Sequence, residues 1–105
     1  MRELKLFINN EWVDAENGAT FTTVNPATGE PVSRLARASE GDVRKAVAAA
    51  KAAAKGWEDT FSEERGKLML RAADLIRERA EELAEIESAE TGKTLHECQV
   101  IDMHQ

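Results

Sequence analysis

The sequence predicts an α/β fold in which N-terminal β-hairpins are followed by two to three helices. Residues 1–38 contain both prolines and several aromatic and β-branched residues grouped around turn-forming residues, a pattern typical of hairpins. From Ser39 onward the apolar residues recur at three- and four-residue spacings, which indicates amphipathic helices. With 105 residues the chain forms one domain at most, divided into a hairpin part, 1–38, and a helical part, 39–105.

The first predicted hairpin spans Leu6 to Val13. Two short apolar pieces flank Asn9 and Asn10. Because asparagine tolerates the positive φ angles of a tight hairpin turn, the chain should reverse direction at this pair.

A second hairpin is predicted around the segment Phe21 to Glu30, which begins with aromatic and β-branched residues. Asn25-Pro26 starts a turn, because proline fixes φ and the asparagine side chain can bind nearby backbone. Gly29 supplies a positive φ where the chain turns back. Val32 to Ala38 then forms the returning strand.

The first helix is predicted to begin at Ser39, with Asp42 three residues later completing a capping box. Gly56 is a plausible residue to end it, and Trp57 would then fold back on the last turn. One face of this helix carries small and β-branched residues, namely Val43, Ala46, Val47, Ala50, Ala53 and Ala54. Such a face should pack closely on a sheet or on another helix.

A second helix should start near Ser62 and end at Gly92. About thirty residues is long for one globular helix. Two alternatives therefore remain, a helix that breaks near Arg79 to Glu82 and one that is unbroken. Thr94 and Glu97 form another capping-box pattern and open a last helix that runs into Gln105. Because no stop signal follows it, we expect the domain to be incomplete.

Charge and composition exclude several classes of partner. Twenty acidic against fourteen basic residues give a net charge of −6, without a basic cluster that would bind nucleic acid or an anionic membrane. No apolar run approaches the ~18 residues of a membrane span, and no signal peptide is recognisable. Cys98 is the single cysteine, which excludes an internal disulfide and fits a reducing compartment. We therefore expect a cytoplasmic protein.

Five stretches of the sequence lie in a familiar order and at familiar spacings. They are Phe7–Ala15, Thr20–Glu30, Glu40–Ala53, Glu64–Ser88 and Glu90–Glu97. Each stretch alone is a weak motif. Together they cover nearly the whole chain and resemble the N-terminal part of the aldehyde dehydrogenase superfamily.

The resemblance implies a fold and an activity. The segment would be the first part of a Rossmann-like coenzyme-binding domain, whose hairpins and helices pack on a sheet formed by later residues. The family oxidises aldehydes to acids with NAD or NADP, using a cysteine thiolate and a glutamate that activates water. Its members are commonly homodimers or homotetramers. The aldehyde is the expected partner of the full protein, and neither nucleic acid nor a membrane is expected.

The family's reacting groups have no match in this segment. Its catalytic cysteine, glutamate, oxyanion-binding asparagine and coenzyme-binding glycine motif all lie beyond Gln105. We therefore assign no catalytic and no cofactor-binding residue here. Cys98 sits in an ordinary helical context, LHECQVID, and is interpreted as a buried or half-buried structural thiol.

The resemblance does imply one site in this segment, a monovalent cation site for K⁺ or Na⁺. In many family members the ion is held by backbone carbonyls before the Asn-Pro turn and by an acidic residue, positions that match Thr23, Val24 and Glu90. Glutamate here departs from the aspartate often found. Glu87 and Glu90 also face the negative end of a helix dipole, which a cation would offset. The alternative is that Lys93 or solvent screens them.

A zinc site is the second metal site that the sequence suggests. Its ligands would be His96, Cys98, Asp102 and His104, and their spacing on a helix is poor for one tetrahedral site.

Two functions stay open at this point. The chain is the N-terminal part of an NAD(P)-dependent aldehyde dehydrogenase, inactive alone, or it is a truncated non-catalytic homologue that acts as a binding or interaction module. Apolar helix faces that exceed what the hairpins and helices can bury favour the first.

Overall fold

The computed structural model describes residues 1–103, and within them the predicted α/β class is confirmed. The strands come first: β1 (Arg2–Leu4), β2 (Leu6–Ile8), β3 (Glu11–Val13), β4 (Thr20–Val24) and β5 (Pro31–Ala36). The helices follow: α1 (Glu40–Asp59), α2 (Ser62–Glu78), α3 (Ala80–Thr91), α4 (Leu95–Glu97) and a π-helical turn (Cys98–Asp102). His104 and Gln105, which the last predicted helix reaches, lie outside the described residues.

The chain forms two compact units, each assembled from two separate stretches of sequence. The first unit consists of Met1–Thr23 and Pro31–Thr60. The second consists of Val24–Glu30 and the chain from Phe61 onward. This division does not follow the change from strands to helices, so the assignment of one domain stays a prediction.

The predicted hairpin at Asn9-Asn10 is confirmed in the first unit. Strands β2 and β3 are antiparallel, and Leu6 lies opposite Val13. Asn9 and Asn10 have φ angles of 52° and 65°, as a tight two-residue turn requires. The rings of Phe7 and Trp12, which lie opposite each other in the hairpin, are tilted by 46° with centroids 4.8 Å apart. Strand β2 also contacts α1.

A three-stranded sheet with the order β1-β5-β4 lies in the same part of the chain. Strands β4 and β5 confirm the second predicted hairpin, although β5 ends at Ala36 rather than at Ala38. Just after β5, the N–H of Arg37 donates a hydrogen bond to the carbonyl of Ala19 (2.8 Å). Strand β1, which the sequence analysis missed, pairs in parallel with β5, with Arg2 opposite Ser33. Parallel pairing joins distant segments and leaves no local turn signal in the sequence.

The capping box that begins α1 is confirmed, and the predicted end of the helix at Gly56 is wrong. Gly56 lacks the positive φ of a helix-ending glycine, and α1 continues through Trp57 to Asp59. The end is made by Thr60, whose N–H donates to the carbonyl of Trp57 (3.2 Å) and whose hydroxyl donates to that of Gly56 (2.7 Å). The Lys55–Asp59 ion pair (2.9 Å) supports this extra turn.

The Asn-Pro turn, which belongs to the second unit, is held by hydrogen bonds converging on Asn25. Its N–H donates to the carbonyl of Glu30 (2.9 Å), and its carbonyl accepts from the N–H of Gly29 (2.7 Å). Its side-chain oxygen accepts from the N–H of Ala27 (2.8 Å), the predicted bond from the side chain to nearby backbone. Gly29 has a φ of 76°, as predicted.

The long helical stretch of the second unit is broken at Arg79, which confirms one of the two sequence expectations. Arg79 has φ −110° and ψ 18° and separates α2 from α3. Helix α3 ends at Gly92, as predicted, and the φ of 75° at this residue is left-handed. A Cβ atom at Gly92 would lie 3.2 Å from the backbone nitrogen of Ala27 and 3.3 Å from Cβ of Pro26. The Asn-Pro turn therefore packs on the C-terminal end of α3.

Small residues form the buried core of both units. Among the described apolar residues, those that are buried are Ala15, Ala84 and Cys98. By contrast Leu68, Met69 and Leu70 of α2 are 58%, 66% and 68% exposed. The apolar faces of the helices are thus mostly uncovered within residues 1–103.

Gly92→Ala should destabilise the protein, because alanine must adopt a left-handed φ and its Cβ meets the Asn-Pro turn. We expect a loss of about 1–3 kcal/mol in the free energy of unfolding, measured by urea denaturation of the native polypeptide. The matched control is Gly56→Ala, whose Cβ has open space on a helical residue. It should be stabilising by about 0.5–1 kcal/mol. Equal effects of the two substitutions would contradict this account.

Candidate functional site

The three residues of the predicted cation site lie at the ends of two elements. Thr23 and Val24 are the last residues of β4, and Glu90 is a half-buried residue in the last turn of α3. Within the second unit, the turn that follows Val24 and the helix end that carries Glu90 are packed together at Gly92. Thr23 belongs to the first unit. The site of Thr23, Val24 and Glu90 stays a prediction.

The charged residues near the end of α3 test the alternative that Lys93, rather than a bound cation, screens Glu87 and Glu90. Lys93 is hydrogen-bonded to Asp102, with Nζ 2.9 Å from Oδ2. This bond and the charge of Asp102 raise the pKa of Lys93, and the carboxylate of Glu87 raises it further. The charge of Lys93 therefore acts on Glu87, which is the screening by lysine that the alternative to a cation requires. The hydrogen bond of Lys93, however, is made to Asp102.

Sequence reasoning missed the pairing of Lys93 with Asp102. The two residues are nine positions apart and are brought together because the chain reverses after Gly92. The hydroxyl of Thr94 accepts a hydrogen bond from the N–H of Glu97 (3.3 Å) at the start of α4, which confirms Thr94 as the cap and one of the two bonds of the predicted capping box. A reversal of this kind depends on tertiary packing, and no fixed spacing in the sequence indicates it.

Cys98 is fully buried, which confirms the prediction of a buried or half-buried thiol. Its predicted ordinary helical context is wrong: it begins the π-helical turn, where its carbonyl accepts from the N–H of Met103 (3.1 Å). Burial raises the pKa of the Cys98 thiol, and the carboxylates of Asp102 and Glu87 raise it further. A protonated, buried thiol is a poor nucleophile.

The structure does not support the zinc reading. Within residues 1–103 no group of three or more histidine, cysteine, aspartate or glutamate side chains is placed to hold a metal ion. His104, the fourth suggested ligand, lies outside the described residues. A site made of backbone carbonyls and one carboxylate, as the predicted cation site would be, uses a different set of donors.

None of the helices formed by residues 1–103 is both long enough and apolar enough to cross a bilayer.

Cys98 should resist alkylation in the folded protein, because its thiol is buried and its pKa is raised. We expect iodoacetamide at pH 7 to modify it far more slowly under native conditions than in 8 M urea, as followed by intact-mass spectrometry. The variant Cys98→Ala, which lacks this thiol, gives the background from every other site. Equal rates of modification in the native and unfolded protein would contradict the buried-thiol interpretation.

This chain is similar to known proteins over nearly its whole length. The sequence model of the aldehyde dehydrogenase family matches residues 12–105. The structure of an NAD-dependent aldehyde dehydrogenase from Sinorhizobium meliloti is 42% identical, with a TM-score of 0.89, over 94% of this chain and 20% of that one. An NAD⁺ complex of an aldehyde dehydrogenase from Bacillus cereus is 39% identical, with a TM-score of 0.92, over 97% and 21%.

A third match is betaine aldehyde dehydrogenase from Staphylococcus aureus in complex with NAD⁺, which is 35% identical with a TM-score of 0.89, over 94% of this chain and 20% of that one. The chain therefore spans about a fifth of the length of the solved structures that it matches. The match over residues 12–105, supported by these structures, shows that the chain belongs to the aldehyde dehydrogenase family and corresponds to the N-terminal portion of its coenzyme-binding domain.

Proposed function

We propose that this chain is the N-terminal part of an NAD(P)-dependent aldehyde dehydrogenase that oxidises an aldehyde to a carboxylic acid. The observation that carries the proposal is the family match over residues 12–105, together with solved dehydrogenases that follow nearly the whole chain at TM-scores near 0.9. In those structures the matching region is about a fifth of the polypeptide. The residues that perform the chemistry are proposed to lie beyond Gln105.

The coenzyme is proposed from the neighbours. The structures from B. cereus and S. aureus are complexes with NAD⁺, which supports NAD as the coenzyme, with NADP as the alternative. The nicotinamide would accept the hydride of the aldehyde.

The role of this segment is structural in the proposed enzyme. Its hairpins and helices present exposed apolar residues, including Leu68, Met69 and Leu70 of α2, that would be covered by the rest of the coenzyme-binding domain. Covering them removes apolar surface from water, which favours association with the remaining chain.

Cys98 would not serve as the nucleophile of this reaction. The attacking group must be a thiolate that the aldehyde can reach, whereas the thiol of Cys98 is buried and has a raised pKa. The proposal therefore includes that this segment is inactive by itself. It also includes a cytoplasmic location and a homodimer or homotetramer for the full protein.

The second candidate is a truncated, non-catalytic homologue that acts as a binding or interaction module. In that case the exposed apolar residues of α2 would bind a partner protein instead of the rest of a coenzyme-binding domain. The two candidates differ in the size of the native polypeptide and in its activity.

The first test is the mass of the native polypeptide, captured with an antibody raised against this segment. We expect a polypeptide several times larger than the 11.6 kDa of this chain that reduces NAD⁺ or NADP⁺, followed at 340 nm, when an aldehyde is added. Iodoacetamide should abolish that activity, and the variant Cys98→Ala should keep it. An 11.6 kDa native polypeptide without activity would instead support the interaction module.

A matched measurement examines the chain alone. Because its apolar helix faces are uncovered, the 105-residue chain should bind a hydrophobic dye such as anilinonaphthalene sulfonate and exchange its amide hydrogens quickly. A dye-silent chain that unfolds cooperatively would contradict the assignment of these faces to the rest of a larger domain.

A monovalent cation at Thr23, Val24 and Glu90 is the second part of the proposal. The melting temperature of the full protein should rise more with potassium or sodium chloride than with a bulky quaternary ammonium chloride, because carbonyl and carboxylate oxygens bind hard cations. The difference should disappear in Glu90→Gln and persist in the control Glu81→Gln, which changes an exposed residue in the first turn of α3. An equal response to all three salts would rule the site out.

A further inference from the structure

The carboxylate of Asp42 joins two parts of the first unit that are far apart in sequence. Asp42 lies in the first turn of α1 and is 3% exposed. Its oxygens accept from the backbone N–H of Glu16, at 3.3 Å and 3.2 Å, and from that of Ser39, at 3.0 Å. Glu16 belongs to residues 14–19, which connect β3 to β4 and are called the 14–19 loop below.

The side chain of Glu16 strengthens the same junction. Its Oε1 atom accepts a hydrogen bond from the Ser39 hydroxyl (2.5 Å), and its Oε2 atom lies 3.7 Å from Nζ of Lys45. A Cβ atom at position 41 would lie 2.6 Å from Oε1, so Gly41 leaves the space that this carboxylate occupies. The 14–19 loop is therefore fixed to the first turn of α1 by backbone and side chain together.

The charged groups around Asp42 come from both parts of the junction. Glu16 faces it from the loop, and Lys45 faces it from the next turn of α1. Glu40, in the same first turn, is paired with Arg44. Hydrogen bonds from the backbone of Ser39 and then Glu16 lower the pKa of Asp42, against the opposing effect of burial, and Lys45 lowers it further.

We propose that Asp42 is an acid-released latch: its carboxylate holds the 14–19 loop on α1, and its protonation frees the loop while α1 stays helical. This inference goes beyond the dehydrogenase reaction and does not depend on it. The helix survives because the Ser39 hydroxyl still accepts from the N–H of Asp42 (3.1 Å). The backbone hydrogen bonds of α1 also do not depend on ionised side chains.

The direction of the pH dependence follows from the lowered pKa. The stabilising contribution of the latch is complete above 3.8, the ordinary pKa of aspartate, and is lost as the pH falls through the lower pKa of the folded state. The loop should therefore be released on acidification before the interior of α1 unfolds.

The test is hydrogen exchange followed by mass spectrometry on the native polypeptide, comparing peptides from the 14–19 loop with peptides from the interior of α1. At neutral pH, Asp42→Asn should lower the protection of the loop about 10- to 100-fold, the range expected for lost hydrogen bonds to a charged group. The control Glu40→Gln removes an exposed acidic group from the same turn and should leave the loop unchanged. Unchanged loop protection in Asp42→Asn would overturn the proposal.

Two further measurements keep the outcome clear if Asp42→Asn unfolds α1. The first is the protection of amide hydrogens in the unmodified protein as the pH is lowered, corrected for the pH dependence of intrinsic exchange. Protection should be lost in the loop at a higher pH than in α1. Loss of both at the same pH would overturn the proposal. Gly41→Ala should displace the carboxylate of Glu16 but leave the N–H of Glu16 bound to Asp42, giving a smaller effect. Full release of the loop in Gly41→Ala would overturn the proposal, because it would show that the side chain of Glu16, rather than Asp42, holds the loop.

Discussion

The first unit depends on one carboxylate shared by two segments that are distant in sequence. Asp42 accepts from the N–H of Ser39, which begins α1, and from the N–H of Glu16, which lies in the 14–19 loop. Burying a carboxylate raises the free energy of the folded state unless hydrogen bonds compensate, so Asp42 can be buried only because the two N–H groups bind it. The second unit follows a similar principle at the other end of a helix, where Gly92 receives Pro26 and Ala27 of the Asn-Pro turn. In each unit a connecting segment is fixed at a helix end.

Local signals in the sequence predicted most of the elements. The turn at Asn9-Asn10, the cap at Ser39 and the end at Gly92 each depend on residues within one turn of the chain, so a short window contains the cause. The failures involve interactions beyond such a window. Gly56 resembles a helix end until the bonds made by Thr60 are known, and β1 is a strand because β5 lies beside it.

The candidate site was less accessible to sequence reasoning than the fold. Thr23, Val24 and Glu90 were chosen from the resemblance to a family, since backbone carbonyls leave no signature in the residue types that carry them. The structure added the chemistry of the neighbouring residues, including the pairing of Lys93 with Asp102 and the burial of Cys98. Neither could be predicted, because both depend on how the chain folds back after α3.

The exposed apolar residues of α2 have a consequence for the synthesis of the proposed enzyme. Leu68, Met69 and Leu70 would emerge from the ribosome while about four-fifths of the polypeptide had still to be made. At about 5–20 residues per second, the wait for the covering segments would last roughly 20–80 s. During that time the nascent segment would present an apolar surface to molecular chaperones, and its native packing would be completed late in translation.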